Sequence, residues 1–152
     1  MTDAGQLPAV LGQVTEEVLE SMFFTCVVGA AEPPPGEPLL RAALGFRDGS
    51  WQGQCGLWIS PAAATSMAAS FLGLEPEEIE TAHVAQVMCE LTNMLGGAAL
   101  SQVFKDSELA LSTPEFLGET QGPVEPSEIS ASFQLDEGFL TVSLVMGPPE
   151  PQ

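Results

Sequence analysis

Residues 77–104 read EEIETAHVAQVMCELTNMLGGAALSQVF, a helical pattern longer than the average helix of a globular domain. At about 100° per residue, the apolar residues of this pattern fall on one sector about 120° wide. They are Val84, Val87, Met88, Leu91, Met94, Leu95 and Ala98. A sector of that width is typical of a helix that packs on a core. We therefore expect this face to be buried and this helix to lie at the centre of the molecule.

A second sector of the same helix, about 80° wide, carries only polar residues and glycine. This polar stripe consists of His83, Gln86, Glu90, Asn93, Gly97 and Ser101. Glu90 and Asn93 stand at i and i+3, so both side chains can act on one incoming group. Gly97 lies one turn further on and removes bulk, at a cost of about 1 kcal/mol relative to alanine. The stripe is thus predicted to be an exposed docking face on which even a leucine at position 97 would not lower stability.

Shorter patterns surround the long helix. They predict helices at 8–24 and 61–72 and strands at 25–30, 39–47, 52–59, 109–112, 128–135 and 139–146. The sequences DGS at 48–50 and DEG at 136–138 are typical of hairpin turns. Ser60 and Pro61 are predicted to cap the helix that ends at Gly73, and EPEE at 75–78 is predicted to open the long helix.

This order of elements is similar in the two halves of the chain. It predicts an α+β fold in which long helices pack on an antiparallel or mixed sheet with a pseudo-twofold relation between the halves. The chain has 152 residues, of which 45% are hydrophobic, enough for one continuous core. We expect a single domain over 1–152, with its core at about 8–147 and a disordered tail at 148–152.

The net charge of −18, with 3 basic against 21 acidic residues, disfavours nucleic acids and anionic membranes as partners. Such a chain repels phosphate backbones and anionic membrane surfaces, so we expect neither nucleic acid nor a membrane as a partner. A protein with a basic patch would instead be steered towards it.

The cysteines and the N-terminal residues bear on the compartment. Three widely spaced cysteines, Cys26, Cys55 and Cys89, suggest neither a disulfide framework nor a zinc site, and we expect them to be buried thiols in a reducing cytoplasm. The first residues lack the pattern of a signal peptide, so secretion is not expected. The uncharged stretch 56–74 is interrupted by Ser60 and Pro61, which predicts a strand end and a helix start rather than a membrane span.

Several short motifs resemble the CheX and CheC family of bacterial chemotaxis phosphatases over roughly residues 8–147. They are NMLGG at 93–97, LSTP at 111–114 followed by Gly118, FRDGSWQG at 46–53 and FLG at 71–73. The resemblance implies the CheX/CheC fold and a site made of Glu90, Asn93 and Gly97 on the long helix, followed by Pro114.

The chain departs from the family pattern at two positions, since Gln86 stands where the family commonly has serine or aspartate, and Pro114 follows Asn93 about two residues early. In the first helix, Glu20 is followed by Phe23 where a duplicated site would need asparagine. The resemblance thus implies one site per chain, as in the CheX branch.

The family accelerates hydrolysis of the phospho-aspartate of a CheY-like response regulator, and the resemblance implies the same reaction here. An asparagine amide both donates and accepts hydrogen bonds, so Asn93 could hold water in line with phosphorus. Glu90 could pair with the lysine that response regulators keep near the phosphoryl group. Gln86, Gly97 and His83 are expected at the docking surface. No metal or cofactor is expected on this chain, because Mg²⁺ would belong to the partner.

Two other interpretations remain open. The polar stripe could bind a receiver domain without accelerating hydrolysis, for which the departure at Gln86 leaves room. An unrelated hydrolase with Glu90 as general acid or base lacks a second catalytic carboxylate or a nucleophile at suitable spacing. The sequence identifies neither the particular response regulator nor its pathway, and it leaves a homodimer open.

Overall fold

The computed structural model describes residues 7–34, 36–48, 51–103, 109–121 and 129–147. Its helices are α1 (Leu7–Met22), α2 (Pro61–Leu72) and α3 (Thr81–Val103), with a 3₁₀ turn at Pro76–Glu78. Its strands are β1 (Val27–Ala30), β2 (Pro38–Asp48), β3 (Trp51–Ile59), β4 (Leu109–Leu111), β5 (Glu115–Gln121), β6 (Ile129–Leu135) and β7 (Gly138–Gly147). Parts of the predicted turn at 48–50, the end of the long helix at Phe104 and the predicted tail lie outside the described residues.

The strands form one antiparallel sheet in the order β1-β6-β7-β3-β2, with β4 and β5 both paired to the outer side of β2. The hairpins β2–β3 and β6–β7 meet at the central pair β3–β7. β1 pairs with the hairpin of the second half, whereas β4 and β5 pair with that of the first. Likewise α1 packs on β6 and α3 on β2. Each half of the chain thus packs its helix and its edge strands on the hairpin of the other half. This arrangement confirms the predicted α+β fold with a pseudo-twofold relation.

The apolar face of α3 lies in the core. Val84, Val87, Met88, Leu91 and Leu95 are buried, while Met94 and Ala98 are partly buried at its margin. A Cβ added to Gly96 would lie 3.5 Å from Leu44 and 3.6 Å from Cys55, so the helix approaches β2 and β3 to van der Waals contact. Removing a leucine side chain from water contributes about 1.5–3 kcal/mol, and this face therefore fixes the helix on the sheet.

The start of α3 differs from the sequence prediction. Instead of opening the long helix, Pro76–Glu78 forms a separate 3₁₀ turn with its own capping box between Glu75 and Glu78. Ile79 then has an extended backbone and packs against the core, and α3 begins only at Thr81. The proline and the acidic residues thus cap a short turn, and the extended, partly buried Ile79 separates that turn from α3.

The strand β5 was not predicted at all. Its sequence EFLGETQ contains charged residues and Gly118, whose φ of 85° accompanies a register shift opposite Arg41 and Ala42. Side chains along β5 alternate between exposed and partly buried, as on an edge strand that pairs on one side only. Tertiary pairing with β2 therefore creates a strand where the local sequence pattern is weak.

Two other sequence predictions change in detail. Ser60 occupies the N-cap position of α2 with Pro61 after it, but its Oγ accepts a hydrogen bond from the backbone N–H of Phe139 at 2.8 Å rather than capping the helix. The expectation of buried thiols is wrong for Cys26, which is exposed just before β1. It holds for Cys55 and only in part for Cys89, which is partly buried. Within the described residues, no helix has the length and apolarity needed to cross a bilayer.

Candidate functional site

The edge of the sheet next to α3 is broken between β4 and β5. Leu111 pairs with Phe46 and Glu115 pairs with Ala43, both on β2. The three residues 112–114 therefore face only Leu44 and Gly45, and one residue of the edge segment is in excess. Pro114 cannot donate a ladder hydrogen bond, which favours an interruption there. The chain consequently leaves the sheet briefly beside α3.

Ser112 holds this break in place. Its backbone N–H donates to the carbonyl oxygen of Gly45 at 2.8 Å, and its Oγ accepts from the backbone N–H of Gly45 at 2.7 Å. Both polar backbone groups of Gly45 are thus satisfied by one residue of the broken strand. Because Ser112 uses its side chain for one of these bonds, the chain can turn away at Thr113 without leaving the N–H of Gly45 unpaired.

Between the break and α3 lies a surface cavity of about 340 Å³, which we call the site cavity. The helix lines it with Cys89, Glu90 and Asn93, and the broken strand lines it with Leu111, Ser112, Thr113 and Pro114. The side chains of Glu90 and Asn93 are exposed. Within the described parts of the chain, neither side chain makes a hydrogen bond or ion pair. Both are therefore free to act on a group that enters the cavity.

The rest of the polar stripe does not line the site cavity. Gln86 and Ser101 are exposed on either side of it, whereas His83 is half-buried and its Nδ1 accepts the backbone N–H of Glu80 at 2.9 Å. His83 thus caps the start of α3, and its expected contact with a partner stays a prediction, as does that of Gln86.

Gly97 is half-buried rather than open to solvent. A Cβ added there would lie 3.6 Å from Cδ1 of Leu111 on β4. The glycine therefore also serves the packing of α3 against the chain's own edge strand. The expectation that a leucine at position 97 leaves stability unchanged is revised for this reason, while the docking role of Gly97 stays a prediction.

Cys89 belongs to the cavity although the sequence singled it out only as a thiol. Burial raises the pKa of the Cys89 thiol, and the nearby carboxylates of Glu115 and Glu90 raise it further. Its position one turn before Asn93 was the available signal, since residues at i and i+4 share a helix face. Both neighbours that act on this thiol are acidic, so the cavity favours a cationic group from a partner.

The two arginines that the structure describes are engaged elsewhere. The guanidinium of Arg41 stacks on Trp58 at 5.2 Å, and Arg47 donates to the side-chain oxygen of Gln52 at 3.5 Å. Neither of them lines the site cavity. Among the described residues, no group of three or more histidine, cysteine, aspartate or glutamate side chains is arranged to hold a metal ion.

At the end of α1, Phe23 stands where a second site would need an asparagine equivalent to Asn93. Phe23 is fully buried, and its ring stacks on that of Phe71 with centroids 4.9 Å apart and planes at 17°. Glu20 is exposed three residues earlier. A buried aromatic side chain offers no amide to an incoming group, which agrees with one site per chain.

The fold is an antiparallel sheet with helices packed on it, built from two similar halves. The site is a Glu–Asn pair beside a broken edge strand. Together, these features are those of a CheX/CheC-like protein. A CheX from Vibrio vulnificus superposes with a TM-score of 0.75 at 17% identity, covering 93% of this chain and 97% of that one. A CheX from Desulfovibrio desulfuricans superposes with a TM-score of 0.71 at 16% identity, covering 93% of this chain and 99% of that one. The structure of a CheX-CheY-BeF₃-Mg²⁺ complex from Borrelia burgdorferi superposes with a TM-score of 0.64 at 15% identity, covering 91% of this chain and 96% of that one. A comparison with curated proteins gave no match.

The chain belongs to the CheX family. The sequence model of the family described as "Chemotaxis phosphatase CheX" matches residues 41–136, more than half of the chain. That segment contains β3, α2, α3, β4, β5 and β6, together with all of β2 except its first three residues. It therefore includes every residue that lines the site cavity.

Proposed function

We propose that this chain accelerates the hydrolysis of the phospho-aspartate of a CheY-like response regulator. The observation that carries the proposal is that Glu90 and Asn93 line one cavity, exposed and without a side-chain hydrogen bond or ion pair to another described residue. Membership of a family described as chemotaxis phosphatases supports the reaction. The similar Borrelia burgdorferi structure, in which CheX is found with CheY, supports the class of partner.

Asn93 is assigned to water positioning. Its side-chain oxygen can accept a hydrogen bond from water, while its NH₂ group can donate to an oxygen of the phosphoryl group. A water held in line with phosphorus gains reactivity from its orientation, without being deprotonated by the enzyme. The absence of an internal partner for Asn93 in the described chain suits this role, because no existing hydrogen bond has to be broken first.

Glu90 is assigned to orientation of the partner. As a carboxylate it can accept a charge-assisted hydrogen bond from a lysine of the regulator that lies near the phosphoryl group. The pair would fix the register in which Asn93 enters the partner's site. The net charge of −18 would also speed the encounter with a basic surface.

The proposal places Mg²⁺ on the regulator, where it would neutralise charge on the phosphoryl group. This chain would contribute Asn93 and Glu90 and no cofactor. The proposal includes a cytoplasmic location, in the same compartment as the regulator that this chain would dephosphorylate.

The test is phosphate release from a purified, phosphorylated CheY-like receiver in Mg²⁺, with and without this chain at substoichiometric concentration. We expect the chain to shorten the phosphorylated lifetime with multiple turnovers. A chain that binds the receiver but leaves the lifetime unchanged, or lengthens it, would instead be a non-catalytic binding module. That outcome would overturn the proposal.

A further inference from the structure

The hydrogen bonds at the strand break differ from those of a regular antiparallel ladder. In such a ladder, two residues that form a hydrogen-bonded pair exchange both bonds through their backbones. Gly45 receives the backbone N–H of Ser112 in the regular way, at 2.8 Å. Its own N–H, however, is bound by Ser112 Oγ at 2.7 Å. A side-chain hydroxyl therefore replaces a peptide carbonyl at the last rung before the break.

Gly45 is suited to this arrangement. A Cβ at position 45 would lie 3.4 Å from Ser112 Oγ, at the short end of ordinary van der Waals contact. With glycine at this position, no side chain crowds the hydroxyl. Beyond the rung, Thr113 is exposed and Pro114 is partly buried, and together with Ser112 they line the site cavity opposite Asn93.

We propose that the Ser112 hydroxyl is a positioning group for the CheX-type site: it fixes residues 112–114 as a wall that the regulator contacts while Asn93 reaches its phosphoryl group. This inference rests on the proposed function. Ser112 acts through the wall and does not touch the reacting atoms. Without the hydroxyl, the N–H of Gly45 loses its acceptor, and the wall is held by one hydrogen bond instead of two.

The test compares Ser112→Thr with Ser112→Val, which have nearly the same shape and differ by one hydroxyl. We expect Ser112→Thr to keep the parent's kcat and KM for the phosphorylated regulator. Ser112→Val should raise KM about five- to tenfold, the effect of one lost hydrogen bond, and change kcat less than twofold. A purely structural role predicts the opposite split: fewer active molecules, hence a lower apparent kcat, at unchanged KM.

Amide hydrogen exchange supplies a readout that does not depend on activity. In Ser112→Val the N–H of Gly45 should exchange at least about tenfold faster than in the parent and in Ser112→Thr, because its acceptor is gone. If Ser112→Val does not fold, Ser112→Ala replaces it in both measurements. Unchanged exchange at Gly45 would show that the hydroxyl does not hold the wall, and an unchanged KM would show that the wall does not position the regulator; either result would overturn the inference.

The two proposals fail in different ways. If the parent chain does not shorten the regulator's phosphorylated lifetime, the proposed function fails and the role of Ser112 in catalysis fails with it. If the parent is active and a folded variant without the hydroxyl has the parent's KM, only the inference on Ser112 fails.

Discussion

Gly97 on α3 lies directly under Leu111 of β4, and a Cβ added to the glycine would lie 3.6 Å from Cδ1 of the leucine. That distance is an ordinary van der Waals contact, so a methyl group fits and a larger side chain meets Leu111. We therefore expect Gly97→Ala to raise stability by up to about 1 kcal/mol, because alanine has the better helix propensity. Gly97→Leu should lower the melting temperature, since it overpacks the contact between helix and strand.

Thermal unfolding followed by circular dichroism would measure both effects. Leu111→Ala combined with Gly97→Leu is the matched control, because truncation at 111 should restore part of the lost stability. A Gly97→Leu protein that melts as high as the parent would show that position 97 does not pack against β4.

Replacement of Glu90 should weaken docking. Glu90→Gln keeps the size of the side chain but removes its charge, so the affinity for the phosphorylated regulator should fall and depend less on ionic strength. Titration calorimetry at two salt concentrations would measure this. Glu77→Gln is the matched control, because Glu77 is an exposed carboxylate in the 3₁₀ turn outside the site cavity. Equal affinity and salt response in both variants would show that Glu90 is misassigned.

The adjacent phenylalanines at the end of α1 should respond very differently to truncation. Phe23 is fully buried and stacked on Phe71, whereas Phe24 is 74% exposed. Phe23→Ala should destabilise the fold by about 3–5 kcal/mol because it leaves a cavity. Phe24→Ala should change stability by no more than about 0.5 kcal/mol. Urea unfolding measures both, and similar values for the two would contradict the packing of Phe23.

The thiol of Cys89 can report on the site directly. Its raised pKa, due first to burial and then to Glu115 and Glu90, keeps it protonated at pH values where an ordinary thiol is already partly ionised. Alkylation of Cys89 by iodoacetamide should therefore be slow near pH 8. It should be faster in Glu115→Gln, where the loss of a negative charge lowers the pKa.

Peptide mass spectrometry across a pH series would give the rates, with the exposed Cys26 as an internal control. Binding of the phosphorylated regulator should slow the alkylation of Cys89 and leave the alkylation rate of Cys26 unchanged. Equal protection of both thiols, or of neither, would speak against docking at the site cavity.

The sequence predicted the parts of the fold that have strong local patterns. The periodicity of α3 placed its buried face, and the two hairpins followed from turn sequences between apolar runs. The pair of Glu90 and Asn93 was found in the same way, from helical spacing together with a family resemblance. Their exposure in one cavity is consistent with that prediction.

What the sequence did not predict depends on contacts between distant segments. β5 has a weak strand pattern and exists as an edge strand through its pairing with β2. The role of Ser112 requires knowing that its hydroxyl meets Gly45, which is 67 residues away along the chain. The effect of Glu115 on the Cys89 thiol could not be predicted either, because Glu115 is on that unpredicted strand.

The most direct test is the turnover of a phosphorylated CheY-like receiver by Asn93→Ala. Gln102→Ala is the matched control, since it also removes an exposed side-chain amide from α3, outside the site cavity. Both variants should melt close to the parent, because exposed polar side chains contribute little stability. Water positioning by Asn93 predicts that Gln102→Ala keeps full activity while Asn93→Ala loses at least about 90% of the accelerated phosphate release. A folded Asn93→Ala protein that releases phosphate as fast as the Gln102→Ala control would contradict it.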